Sequence, residues 1–161
     1  MYTTILMLGS NVGDRLYCLD IAIGLINSEI GEVVRRSLVY ETEPWGYFDE
    51  FQYLNQVVVV DTLLEPIEIL DKINTIEQEL GRTRSKVRYA ARTIDIDILF
   101  YDDCIMATPE LTIPHAELAN RRFVLEPLSE IAPELKHPVL EKTVGELLEA
   151  CQDTCKVKQF F

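Results

Sequence analysis

The sequence predicts an α+β domain in which two helices pack on one antiparallel sheet. Three observations carry this. Two stretches, 14–30 and 66–81, repeat apolar residues with the period of a helix. Four others between residues 3 and 101 are short runs rich in β-branched and apolar residues. In chain order the six alternate β-α-β-β-α-β, the split βαβ order of ferredoxin-like sheets. At 161 residues and 48% hydrophobic content the chain can bury one core and is short for two, so a single domain over 1–161 is expected.

The first strand covers 3–8 and ends at Gly9-Ser10-Asn11. Leu19, Ala22, Ile23, Ile26 and Ile30 then mark one face of a helix over 14–30, with Asn11 or Asp14 able to cap its start and Gly31 to end it. Stretches 32–42 and 52–62, the second holding Val57-Val58-Val59-Val60, read as strands. Pro66 suits a helix N-terminus, and Ile67, Leu70, Ile73, Ile76 and Leu80 form a stripe that Gly81 closes. A strand over 94–101 follows. Beyond it, Pro109, Pro114, Pro127, Pro133 and Pro138 divide the chain into short pieces. These are a small hairpin within 104–113, a helical turn after His115, and helices near 124–131 and 143–151. Two connections exceed the usual length of about 4–6 residues. One, 43–51, carries Trp45, Tyr47, Phe48 and Phe51, which either tuck into the core or stack on a flat ligand.

The other connection holds the strongest chemical signal. Arg82, Arg84, Lys86, Arg88 and Arg92 crowd into it although the chain has a net charge of −12. The acidic remainder would repel a long polyanion, which argues against nucleic acid and for a short, discrete anion. Directly afterwards, Asp95 and Asp97 alternate with Ile94, Ile96 and Ile98, so a strand there turns both carboxylates to one face, about 7 Å apart at their backbones. Mg²⁺ is commonly held by one or two carboxylates together with substrate phosphates. Such acids on a half-exposed strand could also simply pair with neighbouring arginines. The adjacent cations favour a phosphoryl-transfer site, whose recurring parts are a bridging metal and Arg donors, with a basic loop able to close over the phosphates.

Several features point to nothing special. Gly9-Ser10-Asn11-Val12-Gly13 lacks the Lys-[Ser/Thr] of a phosphate-binding P-loop. Cys18, Cys104, Cys151 and Cys155 lack zinc-site spacing and read as reduced packing residues. Arg35, Arg36, Lys156 and Lys158 read as solvated charges. Taken alone, Asn55 reads as a satisfied, half-buried amide and His115 as a surface residue. The first nine residues have no basic leader and only a four-residue apolar run, so neither signal peptide nor membrane span is expected and a cytoplasmic location is.

Gly9-Ser10-Asn11, Tyr53-Leu54-Asn55, Gly81-Arg82-x-Arg84, Arg88-Tyr89-Ala90-Ala91-Arg92-Thr93-Ile94-Asp95-Ile96-Asp97, Pro114-His115 and Asn120-Arg121-Arg122-Phe123 occur in that order. Together, over roughly residues 3–135, they resemble the 6-hydroxymethyl-7,8-dihydropterin pyrophosphokinases of folate biosynthesis. The resemblance implies transfer of the β,γ-pyrophosphoryl group of ATP to the pterin hydroxymethyl oxygen, with release of AMP. It implies that Asp95 and Asp97 hold two Mg²⁺ ions and that Arg82 and Arg92 clamp the transferring group. By the same resemblance Asn74, Glu77, Arg84, Arg88, Arg92, Ile98, Thr112, His115 and Arg121 meet ATP, with Glu77 on the exposed side of the second helix. The pterin falls to Leu8, Gly9, Thr42, Pro44, Trp45, Tyr53, Asn55, Tyr89 and Phe123, its ring between Trp45 and Phe123 and its edge read by Asn55 and Thr42. Asn74, Tyr89, Ala91 and Ala116 depart from the family's usual Gln, Trp, Pro and aromatic, which bears on adenine and lid contacts. A monomer using ATP and the pterin, with no nucleic-acid or membrane partner, is expected. Two rivals stand beside it: a non-catalytic ferredoxin-like binding module, and a magnesium-dependent nucleotidyl transferase that would release pyrophosphate.

Overall fold

Strand β1 (Tyr2–Ser10) runs through the middle of the sheet, and every residue from Thr4 to Ser10 is buried. Both its faces are covered, so its sequence is a continuous apolar run rather than an alternation. The computed structural model describes residues 1–11, 13–42, 52–82 and 94–160, the side chain of Arg82 excepted. The readings on the 43–51 aromatics, including Pro44 and Trp45, and on the basic loop with Arg84, Arg88, Tyr89 and Arg92, lie outside the described residues.

After β1 come α1 (Arg15–Glu29), β2 (Gly31–Arg36), β3 (Tyr40–Thr42), β4 (Tyr53–Thr62), α2 (Pro66–Arg82) and β5 (Asp95–Tyr101). A small hairpin of β6 (Met106–Ala107) and β7 (Thr112–Ile113), a 3-10 turn (Leu118–Asn120), α3 (Arg122–Ile131), α4 (Val144–Ala150) and β8 (Val157–Gln159) complete the order. The main sheet runs β5-β1-β4-β3-β8, with β2 also beside β4, and every pairing is antiparallel. This is the ferredoxin-like order expected of βαββαβ. Asp14 caps α1 by accepting from the N of Tyr17 at 3.1 Å. Gly31 starts β2 where a Cβ would lie 2.1 Å from the carbonyl oxygen of Asp61, so only glycine lets the chain leave α1 this close to β4.

Two apolar layers sandwich the sheet. On one face Leu6, Leu8, Leu54, Val58, Ile96 and Ile98 meet Leu19, Ile26, Ile69, Ile73 and Ile76 of α1 and α2. On the other Ile5, Met7, Val57 and Phe100 meet Val124, Leu125 and Leu128 of α3 and Val144 and Leu147 of α4. The C-terminal helices therefore cover the face that α1 and α2 leave.

Four expectations need correction. The strand expected over 32–42 is two, because Ser37 interrupts it. Its hydroxyl accepts from the N of Val57 at 3.0 Å, and its carbonyl accepts from the Gln56 amide at 2.8 Å. In α2 the buried stripe is Ile69, Ile73, Ile76 and Leu80, while Ile67 is 42% exposed, two residues off the stripe in a helix of 3.6 residues per turn. Arg35 is not merely solvated: its guanidinium donates to the carbonyl of Ile131 at 2.6 Å, at the C-terminal end of α3. Lys158 is exposed as expected, but its segment is not a bare tail: it forms β8, a short edge strand that the sequence does not predict and that covers β3.

None of the four cysteines forms a disulfide; Cys18 is buried and the rest are half-buried. Among the described residues no three His, Cys, Asp or Glu side chains group as a metal site, and no helix is long and apolar enough to cross a membrane.

His137 is buried at the turn before α4 and gives a pH prediction. Its Nδ1 accepts from the backbone N of Val139 at 3.2 Å and Leu140 at 3.1 Å, and its ring stands edge-on to Phe100. Only the neutral ring can accept there, and burial pushes its pKa below the ordinary 6.5. Below pH 6.5 the unfolded chain therefore binds the extra proton, so this contribution is full above 6.5 and is lost as pH falls through the folded value. Thermal melts should show a smaller drop from pH 7 to 5.5 in His137→Asn, which keeps an acceptor, than in the parent. An unchanged drop would assign the pH dependence elsewhere.

Candidate active site

Strand register builds the site. Asp95 on β5 pairs with Gly9 on β1, Gly9 with Asn55 on β4, and Asn55 with Tyr40 on β3. Residues opposite one another in antiparallel strands share a face, so these four form one row across the sheet. Tyr40, unmarked in the sequence, fixes which face it is: its hydroxyl donates to Glu130 of α3 at 2.8 Å. Burial and then that carboxylate push the phenol up to about 12. The next row is Asp97, Met7 and Val57, and on the other side Thr42 stands opposite Tyr53.

Asp95 is half-buried and Asp97 exposed, while Ile94, Ile96 and Ile98 are buried. The strand thus turns both carboxylates to one face, as the alternation predicts. β5 is an edge strand, and Glu77 of α2 serves that edge: its Oε2 accepts from the N of Ile96 at 2.9 Å. Glu77 is half-buried rather than on the exposed side of its helix, and it fixes the backbone between the two aspartates. An edge N–H needs an acceptor, which the helix face supplies. Asn74, one turn earlier, is exposed.

Gly9 makes room for the floor. A Cβ on it would come within 2.8 Å of Asn55 Nδ2 and 3.6 Å of the Tyr53 ring, so the missing side chain lets those two lie over β1. Beside it, Asn55 is 4% and Thr42 1% exposed, and neither Asn55 Oδ1 nor Thr42 Oγ1 has a hydrogen-bond partner among the described residues. Ser10 Oγ is also buried without a partner among the described residues, but Ser10 pairs with core-facing Leu54 and belongs to the opposite side of the sheet. A buried acceptor left unmade costs about 1–3 kcal/mol. Two such oxygens at one end of the sheet suit a ligand that donates hydrogen bonds.

At the border of this floor, the Arg121 guanidinium lies 5.8 Å from the Phe123 ring centre, and Phe123 packs against the cluster containing Met7 and Val57. On the far side of β5, the N of His115 donates to the carbonyl of Leu99 at 3.0 Å, and its Nδ1 accepts from the N of Glu117 at 3.2 Å. Thr112 is exposed on the hairpin. Leu8 and Ile98 are different: their side chains are in the core under α1 and α2, which leaves only their backbones to face a ligand. A hollow of about 740 Å³ between α1 and β2, lined in part by Asp20, Asn27 and Arg36, shares no residue with this site.

Residues 5–133 match the family model of 7,8-dihydro-6-hydroxymethylpterin-pyrophosphokinase, HPPK. The chain belongs to the HPPK family. It is 43% identical over 130 residues to the 2-amino-4-hydroxy-6-hydroxymethyldihydropteridine pyrophosphokinase of Bacillus subtilis, covering 80% of this chain and 77% of that one. It is 41% identical over 146 residues to the enzyme of the same name from Aquifex aeolicus, covering 91% and 90%. A bifunctional protein FolKE of Lactococcus lactis is 41% identical over 99% of this chain. The chain spans 46% of that relative's length and 20% of a folic acid synthesis protein from Schizosaccharomyces pombe. Among solved structures, wild-type Plasmodium falciparum HPPK-DHPS with pteroate superposes with a TM-score of 0.77 at 21% identity, over 92% of this chain and 42% of that one. That likeness supports the fold alone. Within the HPPK fold, then, Gly9, Asn55, Asp95 and Asp97 meet on one end of one sheet face, with Arg121 and Phe123 at its border.

Proposed function

We propose that this chain transfers the pyrophosphoryl group of ATP to 6-hydroxymethyl-7,8-dihydropterin on that face of the sheet, as a step of folate biosynthesis. The row Asp95–Gly9–Asn55, with Asp97 in the next row, carries the reading, because together they set a pair of acids beside a recessed floor with acceptors unmet among the described residues. In this reading Asn55 and Thr42 take hydrogen bonds from the pterin edge, while Tyr53, Phe123 and Trp45 bracket the ring and Tyr89 and Pro44 close it in. Arg82 and Arg92 clamp the transferring group. Arg84, Arg88, His115 and Arg121 hold the nucleotide, with Asn74, Thr112 and the backbone of Ile98 around the adenosine. Glu77 holds the Asp95–Asp97 segment in register.

Asp95 and Asp97 fit Mg²⁺, two ions in this reading: they offer hard oxygens from one face, and the phosphates and water supply the remainder. When bound, Mg²⁺ neutralises charge on the triphosphate and lowers the pKa of a coordinated hydroxyl. The bookkeeping of the transfer is simple. The pterin hydroxymethyl oxygen bonds to the β-phosphorus, the bond from that phosphorus to the α-phosphate oxygen breaks, AMP leaves, and the hydroxyl proton passes to water. Alignment and charge stabilisation supply most of the catalysis in such reactions. The reading extends to a cytoplasmic monomer without nucleic-acid or membrane partners, in keeping with a net charge of −12.

Phosphorus NMR of the chain with ATP, magnesium and the pterin tests it. The expected products are AMP and the pterin diphosphate. Inorganic pyrophosphate with an adenylylated acceptor would mean nucleotidyl transfer, and unconsumed ATP would leave a binding module.

A further inference from the structure

The start of α3 carries both Arg121 and Phe123, yet its own first turn does not hold it. Arg121 occupies the N-cap with an extended backbone and makes no side-chain capping bond. The cap comes from Asp153, 31 residues on, whose Oδ2 accepts from the N of Arg122 at 2.9 Å. This also sets a negative charge at the positive end of the helix. The Oδ1 of Asp153 accepts from the N of Cys155 at 2.9 Å, closing a local turn. Arg122 reciprocates. Its Nε donates to the carbonyl of Asp153 at 2.9 Å, its Nη2 to that of Cys151 at 3.2 Å, and its Nη1 to Glu126 at 3.2 Å. All three guanidinium nitrogens are thereby engaged.

Four residues further along, Val157 pairs with Thr42. Residues 151–159 therefore run as a strap from the start of α3 to β3, joining one border of the site to the other. The strap lies beyond the 5–133 matched by the HPPK model.

We propose that Asp153 and Arg122 are positioning residues: through the strap they set the spacing between the Arg121–Phe123 pair and the Asn55–Thr42 floor, and so tune binding of both substrates. Phe123 follows Arg122 about 100° around the helix, and Arg121 precedes it as the extended N-cap residue. Holding Arg122 toward the strap therefore anchors the backbone that presents both. Without the cap the first turn frays, and an N-cap is worth about a fivefold bias toward the ordered end. The inference rests on the reading that Arg121 and Phe123 meet the ligands.

The test is steady-state kinetics and thermal melting of the full chain. Asp153→Ala should raise KM for ATP and for the pterin about fivefold to tenfold with kcat within about twofold. Asp153→Asn, whose single amide oxygen can still accept from the N of Arg122 but not from that of Cys155 as well, should restore most of both. Should Asp153→Ala fail to fold, Arg122→Lys carries the same test, since it keeps the charge but loses the three-way contact. Folded variants with a lowered Tm and parental KM values would make the strap purely structural and overturn the proposal. Arg121→Ala separates the two ideas: if it raises KM for ATP while Asp153→Ala does not, the strap inference alone is wrong. If Arg121→Ala also leaves KM unchanged, the site reading beneath it fails.

Discussion

Asp97→Ala is expected to lower kcat about 150-fold to 700-fold at saturating magnesium while its Tm stays within a few degrees of the parent. The magnitude follows from the role. Removing a single preorganised group that stabilises transition-state charge costs about 3–4 kcal/mol, and each 1.4 kcal/mol is about tenfold in rate. The stability arm follows from exposure: Asp97 is at the surface, and exposed substitutions usually stay within about 0.5 kcal/mol. Removing one negative charge from a chain of −12 also relieves repulsion. Asp95→Ala should match it in kcat but is the less clean variant, because Asp95 is half-buried and has other contacts. Magnesium titration of the residual rate completes the measurement. An Asp97→Ala protein within tenfold of parental kcat at all magnesium concentrations would remove the metal role from this strand.

What was legible in the sequence was whatever a local period encodes. The Asp95–Asp97 alternation reports its own geometry because a strand turns every second residue the same way, and the buried Ile94, Ile96 and Ile98 agree. The start of α1 was legible as a cap by either Asn11 or Asp14, and the structure selects Asp14. The rest depends on partners distant in sequence. Residues 157–159 form a strand only because β3 offers an edge, and Lys156-Val157-Lys158 alone is indistinguishable from a solvated tail. Ser37 breaks its strand through bonds to Val57 and Gln56, about twenty residues away. Glu77 is polar and near a helix end, which suggests exposure, until β5 presents an N–H to it. Leu8 and Ile98 lie on the strands that form the candidate site, but their side chains face the core, a distinction that a motif does not make. The unmet oxygens of Asn55 and Thr42 are a property of three strands together and of no single one.

Those oxygens give an effect that separates function from stability by sign. Asn55→Leu keeps the branching of the side chain, with methyls bulkier than the amide, and removes a buried acceptor that has no partner among the described residues. Relieving an unmet acceptor is worth about 1 kcal/mol or more, and about 1 kcal/mol moves Tm by about 2–4 °C in a chain of this size, so the free protein should melt at the parental temperature or slightly above it. Pterin binding should move the other way. A site built around a hydrogen bond loses about 1.5–3 kcal/mol when its partner goes, which raises pterin KM about tenfold to 150-fold while KM for ATP stays near the parental value. Gly9 bears on the choice of variant, since the Asn55 amide lies where a Gly9 Cβ would point and a replacement longer than Leu would press on β1. Thr42→Val repeats the logic on the neighbouring strand with a smaller expected shift, its hydroxyl being replaced by a methyl of similar size. Melting with and without pterin distinguishes the cases: ligand should stabilise the parent strongly and Asn55→Leu weakly. If Asn55→Leu instead loses several degrees and keeps parental pterin KM, the amide is a structural group, and the floor of the site must be sought elsewhere on the sheet.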